Sequence, residues 1–189
     1  MSIDALNNAV MEPLWFNEES YEFVTSPKAL IVEVVNVHKA CSLNAQWHSR
    51  FPVIKWGNVV RNKRSVCFYA HDGAVIYAVA IWSSPIAANR LKNGDKMLEL
   101  RRMAIADYAP KNTASFMLKK MRYWIFNNFE EIETLVSYQD TEAHHGTIYK
   151  ADNWTVGGES ALSEWSTSTR VRSSAQSLAK KIRWEYKRK

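Results

Sequence analysis

Long apolar runs are missing from this 189-residue chain. No stretch reaches the eighteen or so apolar residues that a membrane-spanning helix needs, so no membrane span is expected. The opening residues, Met1-Ser2-Ile3-Asp4-Ala5, carry neither a basic segment nor a cleavable apolar one, and the expected location is the cytoplasm. Cysteine is scarce: Cys41 and Cys67 sit among apolar neighbours and read as buried free thiols of a reducing compartment. With no cysteine pair at ligand spacing, a structural zinc site is not expected. Low-complexity blocks, repeats and internal linkers are also absent, and the length suits one domain carrying a tail.

What is present is a substantial apolar fraction, 47%, with eight tryptophans, enough for a proper core. Charge is unevenly spread. The chain carries +6 overall, yet Arg170 to Lys189 holds eight Lys or Arg against one Glu, so residues 1–169 are close to neutral. A near-neutral body with a basic end suggests a polyanionic partner met on one face.

Along the chain, residues 1–20 read as a loose arm and Tyr21–Thr25 as a first strand. Ser26-Pro27 reads as the start of a helix to about Ala40, although β-branched residues keep a strand reading open. An irregular polar-aromatic segment, Ala45–Val53, follows. Strands are expected over Val66–Ala70 and Val75–Trp82, joined through Asp72-Gly73, whose residues tolerate the positive φ of a hairpin turn. The second is apolar on both faces and should be central. Met97–Ala106 reads as another strand, Ala114–Asn127 as a helix burying Ala114, Met117, Leu118, Met121 and Ile125 with Lys119, Lys120 and Arg122 outside. Then come a strand over Ile132–Tyr138, a helix from Thr141 to about Ala151, a turn at Gly157-Gly158 and a strand near Leu162–Ser166. Residues 170–189 read as a separate basic arm in which Ser173–Tyr186 forms an amphipathic helix. The arm's basic residues, Arg170, Arg172, Lys180, Lys181 and Arg183, could track nucleic-acid phosphates, lie on a membrane surface or form a solvated face. The first is favoured because nothing else implies lipid.

The densest chemistry follows the strand at 132–138. Asp140, His144, His145, Tyr149, Asp152 and Asn153 crowd the next residues. Asp140 serves either as a helix N-cap or as a functional carboxylate at the sheet's edge. His144 and His145 diverge by about 100° on a helix and are badly placed to share a metal. His145 and Tyr149, four apart, would share a helical face as a catalytic pair or as a satisfied structural one. Gly146 costs a helix interior about 1 kcal/mol, which suggests that something approaches its backbone closely. Ser115 sits in the first turn of a helix whose amides suit an anion, or simply solvent. Of Arg101 and Arg102, on opposite faces of their strand, one could clamp a phosphate or carboxylate, or pair with Glu99. Trp47 and His48 offer nucleobase stacking, or plain packing.

One set of motifs carries a family resemblance. Ser137-Tyr138-Gln139-Asp140, His144-His145-Gly146-Thr147-Ile148-Tyr149-Lys150-Ala151 and Asn153-Trp154, with Glu99-Leu100-Arg101-Arg102-Met103, Ser115 and Trp47-His48-Ser49 before Pro52, resemble the Mom family of phage DNA-modification proteins. The likeness spans about residues 45–155. It implies an α+β fold related to the GNAT acyltransferases, with a mixed, mostly antiparallel central sheet flanked by helices. It implies a transferase that adds a glycinamide-type (carbamoylmethyl) group to N6 of adenine in double-stranded DNA, shielding phage DNA from host restriction. Carried over by motif, His48, Arg101, Ser115, Asp140 and Tyr149 are the catalytic candidates, with Ser115 and Arg101 also toward the donor. Trp47, His145 and Asn153 are candidates for holding the base. The glycine-rich loop with which GNAT enzymes hold acetyl-CoA has no counterpart, because Ala106–Lys111 contains no glycine. The small-molecule donor, whether acetyl-CoA or a related compound, and any part played by iron are left open.

Overall fold

The computed structural model describes residues 21–47, 53–85, 96–160 and 180–189. A short 3-10 turn, Pro27–Ala29, begins at Ser26, whose hydroxyl accepts from the Lys28 amide. Strand β1, Ile31–Val35, and helix α1, Val37–Trp47, follow. The helix expected from Pro27 is therefore a strand first. Four β-branched residues in five favour the pleated conformation over a helix that would restrict their χ1. Asn36 then accepts from the His38 amide at 2.8 Å and starts α1. Tyr21–Thr25 forms no strand. It is held instead by side chains of the hairpin described below.

Next come α2 (Trp56–Val60), β2 (Ser65–His71), β3 (Ile76–Ser83) and β4 (Met97–Ile105). The Asp72-Gly73 hairpin forms as expected, with Gly73 at φ +104°. Helix α3 spans Thr113–Asn128, β5 Thr134–Asp140, α4 Thr147–Ala151, β6 Thr155–Ser160 and β7 Lys181–Lys187. The seven strands form one sheet in the order β1-β2-β3-β4-β5-β7-β6. Every neighbouring pair is antiparallel except β4 with β5. This is the expected mixed, mostly antiparallel sheet flanked by helices. β3 is buried along its whole length, as a central strand should be.

Three expectations in the C-terminal third are corrected. The first concerns the amphipathic helix over 173–186: residues 173–179 lie outside the described residues, and 181–187 are a strand inside the sheet. Ile182, Trp184 and Tyr186 alternate with Lys181, Arg183 and Glu185, a period of two that suits a strand with one face on a core. Trp184 is 4% exposed. Secondly, Gly157-Gly158 is no turn but part of β6, where the β6–β7 register shifts between Val156 and Gly158. A Cβ on Gly157 would lie 2.2 Å from the Glu185 carboxyl carbon, so a larger residue there would push the Glu185 side chain aside. The strand proposed near Leu162 lies outside the described residues. Finally, Arg122, read as solvent-facing, is 7% exposed and buried against α4 and β7.

The basic end is thus woven into the fold. The Arg188 guanidinium donates to the carbonyls of Phe126 (2.8 Å), Phe129 and Ile132 (2.8 Å), gathering the C-terminal end of α3 and the link to β5. At the far end of the sheet the Asp72 carboxylate accepts from the Tyr21 hydroxyl, from the Tyr77 hydroxyl at 2.5 Å, and from the amides of Ala74 and Val75. Val24 donates its amide to the Tyr77 oxygen, and Phe23 stacks on Tyr108 with centroids 4.7 Å apart, so Asp72 ties the 21–25 segment down.

Two predictions follow from these ties. Deleting 180–189 removes β7 and leaves β5 and β6 without their shared neighbour; loss of the cooperative thermal transition in circular dichroism is expected, whereas a dispensable arm would leave Tm unchanged. Burial alone would raise the Asp72 pKa, but the bonds from Tyr21, Tyr77, Val75 and Ala74 prevail and hold its carboxyl below the usual range. A carboxyl depressed in the folded state stabilises above its unfolded value of about 3.9 and loses that stabilisation as pH falls through the folded value. Tm of the native protein should fall on acidification below about pH 4 more steeply than Tm of Asp72→Asn.

Candidate functional site

β4 and β5 pair only over Met97–Leu100 and Thr134–Ser137. Beyond that point β4 continues to Ile105 on β3, and β5 continues to Asp140 on β7. Each strand stays bound to its outer neighbour while the two separate, which opens a wedge in the middle of the sheet.

At the apex the β4 lip is irregular. Ile81 pairs with Arg102 and Trp82 with Leu100, so Arg101 is an extra residue, a β-bulge. Its guanidinium donates to the Ser83 hydroxyl at 3.1 Å and lies 4.0 Å from the Glu99 carboxylate. Both side chains of that pair are 12% exposed. Burial lowers the Arg101 pKa, and Glu99 opposes the shift. Arg102 donates to the Arg101 carbonyl at 2.7 Å; burial and the Arg101 charge lower its pKa while Glu99 again raises it. Two largely buried guanidinium groups thus lie beside Glu99 on this lip, the kind of group that can bind a carboxylate or phosphate through paired hydrogen bonds.

On the β5 lip, Ser137 is the last residue paired to β4, and its hydroxyl lies 2.7 Å from the Tyr149 hydroxyl of α4. Burial raises the Tyr149 pKa, partly offset by the bond to Ser137, so the phenol is neutral and protonated near pH 7. Its ring stacks on Trp184, centroids 5.3 Å apart and 14° between planes, and meets the edge of Trp154 at 5.7 Å. Trp184 thus occupies a face that a flipped base would have used. The hydroxyl remains the chemically useful part.

Tyr149 is held by a frame that the sequence reading missed. Arg122 of α3 grips Asp152, directly after α4, through two bonds of 2.9 and 2.8 Å, and the Trp154 indole N–H donates to the same carboxylate at 2.9 Å. Gln139 accepts from the Trp184 indole at 2.7 Å and donates to the His144 carbonyl. Gly146 is pressed against this pair at φ +69°, where a Cβ would lie 2.5 Å from the Gln139 oxygen and 2.7 Å from the Trp184 ring. The close approach expected at Gly146 is real, although it lies just before α4 and not inside a helix. The signals available were a charged residue within the apolar stripe of α3 and a carboxylate closing α4.

Alternation along β5 divides the candidates. Ser137 and Gln139 face α4, whereas Val136, Tyr138 and Asp140 face the other way. Residues paired across strands share a face, so Asp140 joins Ser83, Glu99 and, from β7, Lys181 and Arg183. Asp140 and Tyr149 therefore do not form one wall; they belong to opposite faces of the sheet. Asp140 is 5% exposed and accepts from the Glu142 amide at 3.0 Å, the capping-type role weighed for it. His145 is exposed and precedes α4, which removes the helical pairing with Tyr149. Asn153 is exposed in a turn at φ +59°. The Ser115 hydroxyl donates to the Asn112 carbonyl at 3.1 Å in the first turn of α3. Trp47 ends α1, half-buried against the core. Lys180 pairs with Glu159, and Arg183 binds Glu185 at 2.8 Å and the Gly157 carbonyl, so both charges are engaged within the sheet. His48, Arg170 and Arg172 lie outside the described residues. Among the described residues no three His, Cys, Asp or Glu gather as a metal site, and no helix is long and apolar enough to cross a membrane.

The family model of the Mom protein family matches residues 30–189. The chain belongs to the Mom protein family. The match is wider than the motifs at 45–155 and takes in the basic end, in keeping with β7 being part of the sheet. No curated protein sequence matches significantly. Among solved structures, a spermidine N-acetyltransferase variant from Vibrio cholerae superimposes with a TM-score of 0.61 at 9% identity, covering 85% of this chain and 94% of that one. An acetyltransferase of the GNAT family from Streptococcus pneumoniae gives 0.58 at 10% identity, covering 84% and 99%. A ribosomal-protein-S5-alanine acetyltransferase from Vibrio fischeri gives 0.58 at 9%, covering 88% and 95%. At such identities the likeness is one of fold, and the fold is GNAT-like.

The frame around Tyr149 is open to a direct test. Asp152→Ala leaves the Arg122 guanidinium buried without its carboxylate and should lower unfolding free energy by about 3–5 kcal/mol in denaturant titration.

Proposed function

We propose that this protein transfers a small group, of the glycinamide (carbamoylmethyl) type that the family resemblance implies, to N6 of adenine in DNA. The observation that carries the reading is the wedge between β4 and β5, with a cationic lip at Arg101 and a hydroxyl pair, Ser137–Tyr149, on the other. The adenine amine is a weak nucleophile, because its lone pair is delocalised into the ring, and it must leave the base stack to react. In the transfer, N6 bonds to the donor's carbon, the bond from that carbon to its leaving group breaks, and N6 gives up one proton. Asp140 is assigned as acceptor of that proton, and the Tyr149 phenol as donor of a proton to the departing group. Arg101, with Arg102, holds an anionic part of the donor, and Ser115 extends this contact from the start of α3.

Trp47 and His48 are assigned to the base and its flank, with His145 and Asn153 at the exposed rim. Arg170, Arg172, Lys180, Lys181 and Arg183 are assigned to the phosphate contacts, with Lys180 and Arg183 also paired to Glu159 and Glu185. Such modification in the host cytoplasm would shield phage DNA from restriction. The loop before α3 argues for a donor other than acetyl-CoA: it has no glycine and reaches α3 through Asn112 at φ +70°.

A second reading, an acyl-CoA-dependent N-acyltransferase on a small amine or protein, is supported by the fold likeness to enzymes titled acetyltransferases. Calorimetric binding of acetyl-CoA would favour it. Chemistry on DNA separates both from a non-catalytic DNA-binding protein. Nucleoside mass spectrometry of DNA from cells expressing the protein should reveal modified adenine, reduced about 100-fold or more by Tyr149→Phe or Asp140→Asn. Undiminished modification in folded variants would remove those roles, and unmodified DNA with the native protein would overturn the reading.

A further inference from the structure

The clue lies in α1, outside the set of residues discussed so far. Asn44 is 2% exposed, yet its amide nitrogen has no hydrogen-bond partner. The neighbouring buried positions of the helix, Ala40, Cys41 and Leu43, are apolar. Asparagine is a poor residue for a helix interior, and an unpaired buried donor is a further cost that an apolar residue would avoid. A donor left unpaired in the resting protein is what a binding site looks like before its ligand brings an acceptor.

Its helix covers the sheet face that carries the assigned proton acceptor. Helix α1 packs against β2, β3 and β4. Cys41 lies close enough to Cys67 of β2 to act on its ionisation, which places α1 on the Cys67 face of the sheet. Cys67 pairs with Ile81, and Ser83, two residues on, shares that face with Glu99. This is the face of Ser83, Glu99 and Asp140, the side on which the proton acceptor was assigned. Asn44 is three residues beyond Cys41, on the same side of the helix, and three before Trp47.

We infer that Asn44 is a base-reading residue of the substrate site, its carboxamide binding the amino edge of the extruded adenine. The inference rests on the DNA-adenine reading above. A carboxamide offers one donor and one acceptor side by side. Adenine presents the matching pair, an amine at N6 beside an acceptor nitrogen in the ring, and this is why Asn and Gln bind adenine bidentately. The Nδ2 donor satisfies the ring nitrogen, and Oδ1 accepts one N6 proton. The second N6 proton stays free to leave during transfer. Guanine and thymine carry a carbonyl beside a ring N–H, the reverse order, and a carboxamide held in this orientation rejects them. Cytosine has the same order as adenine, so the size of the purine must be read elsewhere.

Asn44→Leu separates this role from a structural one, because leucine fills a similar volume without the orphan donor. DNA from cells expressing the native protein, Asn44→Leu or Asn44→Ala is analysed for modified adenine, and each purified protein is melted. The expected result is Tm of Asn44→Leu equal to or above native, with modified adenine reduced about tenfold or more. Asn44→Ala should lose modification while keeping a cooperative transition. Modification at the native level in either folded variant overturns the assignment. So does a lowered Tm with modification falling only as far as the amount of folded protein. If the native protein itself leaves DNA unmodified, the adenine reading fails first and this assignment goes with it; native modification together with full activity of Asn44→Leu overturns the assignment alone.

Discussion

Everything about the site depends on the four-residue limit of the β4–β5 ladder. Parallel neighbours in a sheet normally stay paired along their shared length, because an unpaired amide or carbonyl away from water is costly. Here each strand keeps a second partner: β4 holds β3 through Ile105, and β5 holds β7 through Asp140. The outer ladders allow the inner one to stop. The bulge at Arg101 falls at the same point and adds local twist to β4. The resulting gap presents backbone edges and polar side chains together in the middle of a hydrophobic sheet.

That dependence changes the meaning of the basic end. A strand parting from its neighbour is stable only if its other edge is occupied, and β7 occupies it. Trp184 and Tyr186 close the core beneath Tyr149 and Arg122, while Arg188 gathers the carbonyls at the end of α3. Charge that looked available for a polyanion is partly spent on architecture. Arg183 and Lys180 balance Glu185 and Glu159, and the guanidinium of Arg188 is turned inward. Net charge constrains a protein's long-range field, but the location of each charge decides whether it meets a partner or a carbonyl.

The sequence was legible where one interaction dominated. The hairpin at Asp72-Gly73 and the apolar run of β3 each have a single strong local signal and stand as read; the stripe of α3 stands at Met117, Leu118, Met121 and Ile125, with Arg122 buried beside it. It misled where two signals competed. Ile31–Val35 follows a helix-start pattern but is strand because of β-branching. Residues 181–187 carry both a helical stripe and a two-residue alternation, and the place beside β5 selects the second. Gly157-Gly158 looks like a turn, yet both residues lie inside β6, beside Glu185 and Arg183 of the next strand. The chemistry-bearing residues were visible as types, but no local pattern could reveal that Asp140 and Tyr149 leave β5 on opposite faces. That fact depends on the register of β5 with β4 and β7.

The division into two faces suits transfer to a planar amine. In the proposed displacement at the saturated carbon of a carbamoylmethyl donor, nucleophile and departing group lie on opposite sides of that carbon, so the assigned proton acceptor and donor belong on opposite sides of the reacting centre. A continuous sheet would separate such groups by its own backbone. A sheet parted at Leu100 and Ser137 lets the face of Glu99 and Asp140 communicate with the face of Ser137 and Tyr149 through the gap. Each group keeps its own environment: a carboxylate at the end of a ladder, opposite Lys181 in register, and a phenol sealed among tryptophans, where burial favours its neutral form. The aromatic frame and the Arg122–Asp152 grip then act on chemistry indirectly, by fixing which side of the gap the Tyr149 hydroxyl occupies. Loosening that frame would cost positional accuracy along with stability.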